Sequence, residues 1–292
     1  MLVWQEKIEL GMPYDFDYLL FRLEMDKLNY VDFKKRSVLV PLRTDQEKHV
    51  VTVTATGTTA KPSFLIEGQD TARKNELLVQ IADIFAWDQD LQMIQQFFTE
   101  TDLAGLFEAY PATPLIREFD PFSNLVKTII HQQLNMAFAQ TLTARFVTTY
   151  GEQIDGVWFY PTPDKVAIIP YQELQDMQFS RRKAEYVIDT AKKIVAKELN
   201  LTSFYDKSDQ EVMQQLTKIR GIGAWTVQNW LMFSLGRQDL FPSSDIGIQN
   251  ALKLYFGLET KPTAAKLDEW NQAWKPYRSY AAMTLWRSIE EG

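Results

Sequence analysis

The chain has 292 residues, 46% of them hydrophobic and 13% aromatic, which is ample for packed cores and too rich for disorder. It holds no cysteine and only two histidines, which excludes disulfides, thiolate nucleophiles and zinc-finger or iron–sulfur ligation, and argues against a histidine metal site or a Ser-His-Asp triad. No basic-then-apolar leader opens it and no uncharged apolar run nears the roughly 18 residues of a membrane span, so a soluble, cytoplasmic protein without a membrane partner is expected.

Taken in order, residues 1–110 read as mixed α/β. Val38 to Leu42, Val50 to Thr56 and Ser63 to Glu67 are β-branched, partly alternating runs between polar turns, the pattern of antiparallel strands. Phe16 to Leu23 and Asn75 to Phe85 carry apolar residues at helical spacing. His49 falls on a strand beside Lys48, where surface placement is expected. This segment holds 18 acidic and 11 basic side chains against 20 of each in residues 111–292, so the whole net charge of −7 sits in the N-terminal third. A neutral C-terminal part can still present a locally basic face to a polyanion.

Pro111, Pro114 and Pro121 mark the expected domain boundary. From there the chain reads as all-helical. Asp120-Pro121 is a helix start, Ser180 caps a basic helix carrying Arg181, Arg182 and Lys183, and Ser208 to Glu211 form a capping box. The last helix is expected over Tyr277 to Ile289.

Residues 216–252, LTKIRGIGAWTVQNWLMFSLGRQDLFPSSDIGIQNAL, hold the densest signal. Gly221-Ile222-Gly223 lies between two amphipathic runs, where alternate glycines allow a sharp turn and a close approach to a ligand. The run from Trp225 to Leu235 opens a helix whose first amides, following Gly223 and Ala224, suit a phosphate. Asp245 heads a further helix, Ile246 to Phe256, as its cap.

This string resembles the helix-hairpin-helix, Gly/Pro-loop, aspartate signature of a DNA glycosylase superfamily, and within it the 3-methyladenine DNA glycosylase II family. The likeness extends through Pro13 to Phe16, Asp120 to Gln133, Thr141 to Arg145, Phe159 to Pro163, Arg181 to Glu185 and Trp274 to Ala281. It implies a small N-terminal α+β domain with an antiparallel sheet (1–110) followed by an all-α glycosylase domain (111–292). The implied activity is base excision of alkylated purines from double-stranded DNA by a monomer, with 3-methyladenine as the substrate and 7-methylguanine and hypoxanthine as further candidates, and with no metal or organic cofactor. Hairpin carbonyls would hold at most a monovalent cation bridging to DNA, and the four-cysteine cluster of some relatives is ruled out by composition.

The resemblance assigns roles residue by residue. Asp245 is the catalytic carboxylate, stabilising positive charge on the sugar and orienting water. Gly221, Ile222, Gly223 and Ala224 grip phosphate, and Gln133, or else Leu134, fills the gap left by the flipped nucleotide. Trp225 and Trp286 line the base pocket, where electron-rich indoles attract a cationic purine. Asn229 makes that pocket more polar than in relatives with a tyrosine there. Trp230, Trp270 and Trp274 are assigned to the core, and Asp239 to a surface turn. Two alternatives stay open: a glycosylase for oxidised or deaminated bases, with or without lyase activity, and a non-catalytic damage-binding protein. Trp225 stands where a lyase would carry its lysine.

Overall fold

A computed structural model describes residues 4–45 and 47–290; Met1 to Val3, part of the stretch read as lacking a leader, lie outside them. The chain begins with β1 (Trp4–Glu9), α1 (Phe16–Glu24), β2 (Tyr30–Asp32), β3 (Ser37–Thr44), β4 (Glu47–Ala55) and β5 (Ser63–Gly68). These strands form one antiparallel sheet in the order β1-β5-β4-β3-β2. The three strands expected from alternation are β3, β4 and β5, whose inward side chains Val38, Val40, Val51, Val53, Phe64 and Ile66 are fully buried. The edges went unread. In β1 only Trp4 is buried among charged neighbours, and β2 has three residues, as suits strands that must not recruit partners.

Three helices follow: α2 (Lys74–Ile84), α3 (Leu91–Phe98) and α4 (Ala104–Ala109). The last two pack on the far end of the chain, where Phe97 meets Tyr277 edge-on at 5.2 Å and Asp102 accepts from Trp274 Nε1 at 2.8 Å.

The second half contains α5 (Pro121–His131), α6 (Met136–Tyr150), a hairpin of β6 (Glu152–Ile154) and β7 (Val157–Phe159), then α7 (Pro163–Ala167), α8 (Tyr171–Asp176), α9 (Arg181–Val195), α10 (Asp209–Leu216), α11 (Ala224–Leu235), α12 (Ile246–Tyr255), α13 (Ala264–Ala273) and α14 (Arg278–Glu290). The all-helical expectation fails at β6 and β7. Asp155 and Gly156, both at positive φ, make the two-residue Asp-Gly turn that joins strands most readily, and the pair stood in the sequence unread. The caps follow expectation: Asp120 accepts from Ser123 N, Ser180 from Lys183 N, and Ser208 with Glu211 closes a capping box.

One apolar core runs through the whole molecule, including the fully buried Trp230 and Trp274 and the nearly buried Trp270. Ion pairs join α1 and its cap to α14: Arg22 to Glu290 at 2.7 Å and Arg287 to Asp15 at 2.6 Å. Helix α1 is thereby fixed beside α14, one wall of the site. Among the described residues, no helix is long and apolar enough to cross a membrane.

Candidate DNA-base site

Helices α10 and α11 are joined by the hairpin that the glycines foretell. Gly221 has φ +91°, and a Cβ there would fall 2.2 Å from the Tyr186 ring, so any side chain meets both strain and collision. Gly223 differs. It is exposed, extended, and has nothing within 4 Å of where a Cβ would stand. It caps α11 without a side chain, whereas α5, α6, α9, α10, α12 and α13 all have a side-chain cap. The first amides of α11 therefore lack the usual intramolecular acceptor at an open surface. Ile222 points the other way, into the core, and Ala224 is exposed.

A cavity of about 970 Å³ opens beside the hairpin, bounded by α1, α5, α11, α12 and α14. Asp245 lies on its wall as the cap of α12. One carboxylate oxygen, Oδ1, accepts from Ile248 N and from Trp286 Nε1, each at 3.0 Å; Oδ2 accepts from Trp225 Nε1 at 3.0 Å. The carboxylate is thus both a cap and a group pinned between two indoles. Sequence pointed to all three residues for the cavity but not to these bonds, which turn both indole edges toward the acid.

Gly247 also went unnoticed. A Cβ there would stand 3.0 Å from Asp245 Oδ1 and 3.3 Å from two atoms of the Trp286 ring, so the missing side chain is what lets indole and carboxylate meet. Asn229 lines the cavity, its amide donating to the Trp225 carbonyl at 2.8 Å. Asp239 lies in a bend with its side chain 38% exposed, as expected of a surface turn, and it also accepts from Arg278 Nε at 2.5 Å, which anchors α14.

The loop after α5 brings the wedge candidates to the cavity mouth. Gln133 is exposed at φ +55°, while Leu134 is half-buried against the core. Gln132 ties this loop to the hairpin: its amide donates to Gly221 O and Thr226 Oγ1, both at 2.8 Å. Lys183 reaches the same loop from the basic helix α9, donating to the carbonyls of Ile129, Ile130 and Gln132. It satisfies acceptors that the end of α5 would otherwise leave open. Arg181, itself in solvent, instead pairs with the half-buried Glu185.

The inner wall is a half-buried charge cluster. Lys127 lies 2.9 Å from both Asp26 and Glu118. Burial alone would lower its affinity for a proton, but the two carboxylates hold it well above the usual lysine range. Burial likewise would raise the Asp26 carboxyl, and Lys127 brings it below its ordinary value. His131, bonded to Thr143 Oγ1 at 3.0 Å, is pushed down to about 4 by burial, with Lys127 adding to the effect.

His49 is more enclosed than expected, its side chain 10% exposed and its Nε2 2.6 Å from Thr44 Oγ1. Glu47, His49 and Asp70 are the one cluster of candidate metal ligands among the described residues, and Arg73 stands 3.8 Å from Glu47 within it.

The family model for the HhH-GPD superfamily of base excision DNA repair proteins matches residues 126–276, from the middle of α5 to the turn before α14. The Bacillus subtilis protein YfjP, named provisionally as a DNA-3-methyladenine glycosylase, is 46% identical over 289 residues, 99% of this chain and 100% of that one. A DNA-3-methyladenine glycosylase of the same organism is 30% identical over 220 residues, 69% of this chain and 73% of that one. Among solved structures, the 3-methyladenine DNA-glycosylase from Archaeoglobus fulgidus has the same fold, with a TM-score of 0.84 at 20% identity over 99% of both chains. With its hairpin, its aspartate cap and a relative matched almost end to end, the chain belongs to the HhH-GPD superfamily of base excision DNA repair proteins.

Proposed function

We propose that the protein is a monofunctional DNA-3-methyladenine glycosylase that acts on double-stranded DNA. One observation carries the reading. A carboxylate capping α12 is held at a cavity wall by two indole N–H groups, beside a hairpin with open amides. The hairpin suits a phosphate, Gln133 suits the gap in the duplex, and the cavity is large enough for a purine turned out of the stack. Asp245 then faces the sugar. As the glycosidic bond to the base breaks, positive charge grows on the anomeric carbon and ring oxygen, and a fixed carboxylate stabilises it; the same group orients the attacking water and takes its proton.

The absence of lyase activity is part of the proposal. A Schiff base needs a neutral amine. Trp225 occupies the hairpin position, and Lys127, the one lysine among the described cavity residues, is kept protonated by Asp26 and Glu118. A monovalent cation on the hairpin carbonyls belongs to the same reading. The carbonyls of Ile219, Gly221 and Gly223 each accept one hydrogen bond, which leaves each a second lone pair for an ion that would add positive charge toward a phosphate.

Single-turnover base release from methylated duplex DNA, resolved by product, tests the whole. Release of 3-methyladenine, leaving an abasic site cut only by alkali, is expected. Lesion binding without release would leave a damage-binding protein, and a covalent adduct trapped by borohydride would establish a lyase.

A further inference from the structure

Of the described cationic side chains that line the cavity, Arg22 is the one supplied by residues 1–110, and nothing in the reading above uses it. Arg22 stands in the last turn of α1 with 23% of its side chain exposed, and it lines the same cavity as Asp245. Its Nη1 donates to Glu290 Oε1 at 2.7 Å, and Tyr18 donates to the other Glu290 oxygen at 3.0 Å, so the pair is held from both α1 and α14. The guanidinium carbon lies 5.5 Å from the Phe233 ring centroid and 6.0 Å from that of Trp286. These two rings are themselves 5.9 Å apart, and Trp286 bonds Asp245 by its indole edge. Carboxylate, indole and guanidinium thus follow one another along one wall.

We infer that Arg22 is a specificity-determining residue of the base cavity, which raises release of neutral 6-oxopurines relative to cationic 6-aminopurines and so widens the range of the glycosylase proposed above. The inference rests on the proposal that a flipped base enters this cavity with its sugar at Asp245. Two physical effects carry it. A cation is attracted to an aromatic face within about 6 Å, and here Trp286, one of the two indoles bonded to the acid, and its neighbour Phe233 already have one. A positively charged purine stacking on Trp286 gains less than on a bare indole, because it meets a like charge there. A guanidinium has five N–H donors in a planar fork, of which Glu290 takes one. That fork matches the O6 and N7 acceptors of a 6-oxopurine, as Arg does at guanine edges in DNA. An exocyclic amino group in the same place sets donor against donor.

A merely structural Arg22, joining α1 to α14, would scale all substrates alike when removed. The test is therefore a ratio. Single-turnover release of hypoxanthine and of 3-methyladenine is measured from matched duplexes for the full-length protein, for Arg22→Met combined with Glu290→Gln, and for Arg22→Lys. The double variant leaves no unpaired buried charge and keeps an acceptor for Tyr18; Arg22→Lys keeps the pair with Glu290 but loses the fork, and serves if the double variant does not fold. The wild type should release both bases, and the hypoxanthine-to-3-methyladenine ratio should fall at least tenfold in the double variant and at least threefold in Arg22→Lys. A ratio that stays within twofold in the folded variants overturns the assignment, as does a wild type that releases 3-methyladenine but no hypoxanthine. A wild type that releases neither base refutes the glycosylase reading itself, before any variant is compared.

Discussion

The hairpin takes all its parts from residues 209–235, whereas the cavity wall collects Arg22, Asp26, Gln132, Asp245 and Trp286 from helices and loops spread over the whole chain. In the hairpin the chemistry is backbone: open amides, a turn that excludes side chains, a cap without a side chain. In the cavity it is side chain on side chain, and each group is fixed by another from a distant element. A local motif tolerates change wherever its surface is free. An assembled wall is sensitive at each contact, even where the backbone is comfortable.

Asp245→Asn should break the assembled wall most. An amide still caps α12 through Oδ1, so the fold should persist. Its nitrogen, however, would face the Trp225 indole N–H, donor against donor, where Oδ2 now accepts. Loss of the charge beside the developing cation typically costs about 10²–10³ in rate. Single-turnover base release should drop at least a hundredfold, with a change in tryptophan fluorescence from the displaced Trp225. Asp206→Asn, at an exposed position, is the control; Asp239 is unsuitable because it pairs with Arg278. A near-normal rate for Asp245→Asn would reduce that residue to a cap.

The two hairpin glycines should then separate from each other. Gly221→Ala forces a Cβ against Tyr186 at positive φ and should cost about 2 kcal/mol or more by denaturant unfolding, combining overpacking with backbone strain. Gly223→Val places its side chain in open space, so stability should shift by less than about 1 kcal/mol. Its affinity for abasic-site duplex should nonetheless weaken about tenfold, because the side chain stands before the amides of α11. Equal affinity for wild type and Gly223→Val would mean that phosphate is gripped elsewhere.

Gly247→Ala is the subtlest. Within a helix this change ordinarily stabilises by about 0.5–1 kcal/mol. Here the added carbon would crowd Asp245 Oδ1 and the Trp286 ring, so base release should fall several-fold while the melting temperature holds or rises. If activity is unchanged, the contact between Trp286 and Asp245 has slack and the wall is less tightly assembled than its distances indicate.

What was legible in the sequence is what is local. Helix caps at Asp120, Ser180, Ser208 and Asp245 need only a side chain within three residues of a free amide, and each is where the spacing puts it. The core strands β3 to β5 showed through alternation, because each buries one face against a single core. Strands β1 and β2 did not, since an edge strand carries charge where a core strand carries valine. The hairpin glycines, Asp245 and the two pocket tryptophans came from residue type and spacing, together with the resemblance these support.

Only the tertiary structure decided how those residues act on one another. Both indole edges turn to the acid because α11, α12 and α14 converge there, which no spacing along the chain encodes. Asp239 lies in a surface turn as assigned, but that it also anchors α14 follows only from Arg278, which arrives from 39 residues away. Arg22 lies in a segment with no catalytic signature, and it reaches the cavity because α1 is paired to α14 across most of the chain. Propensity and capping act over a turn or two of helix, and sequence reports them directly. Packing joins residues of any separation, and its outcome at this site appears only once the helices are in place.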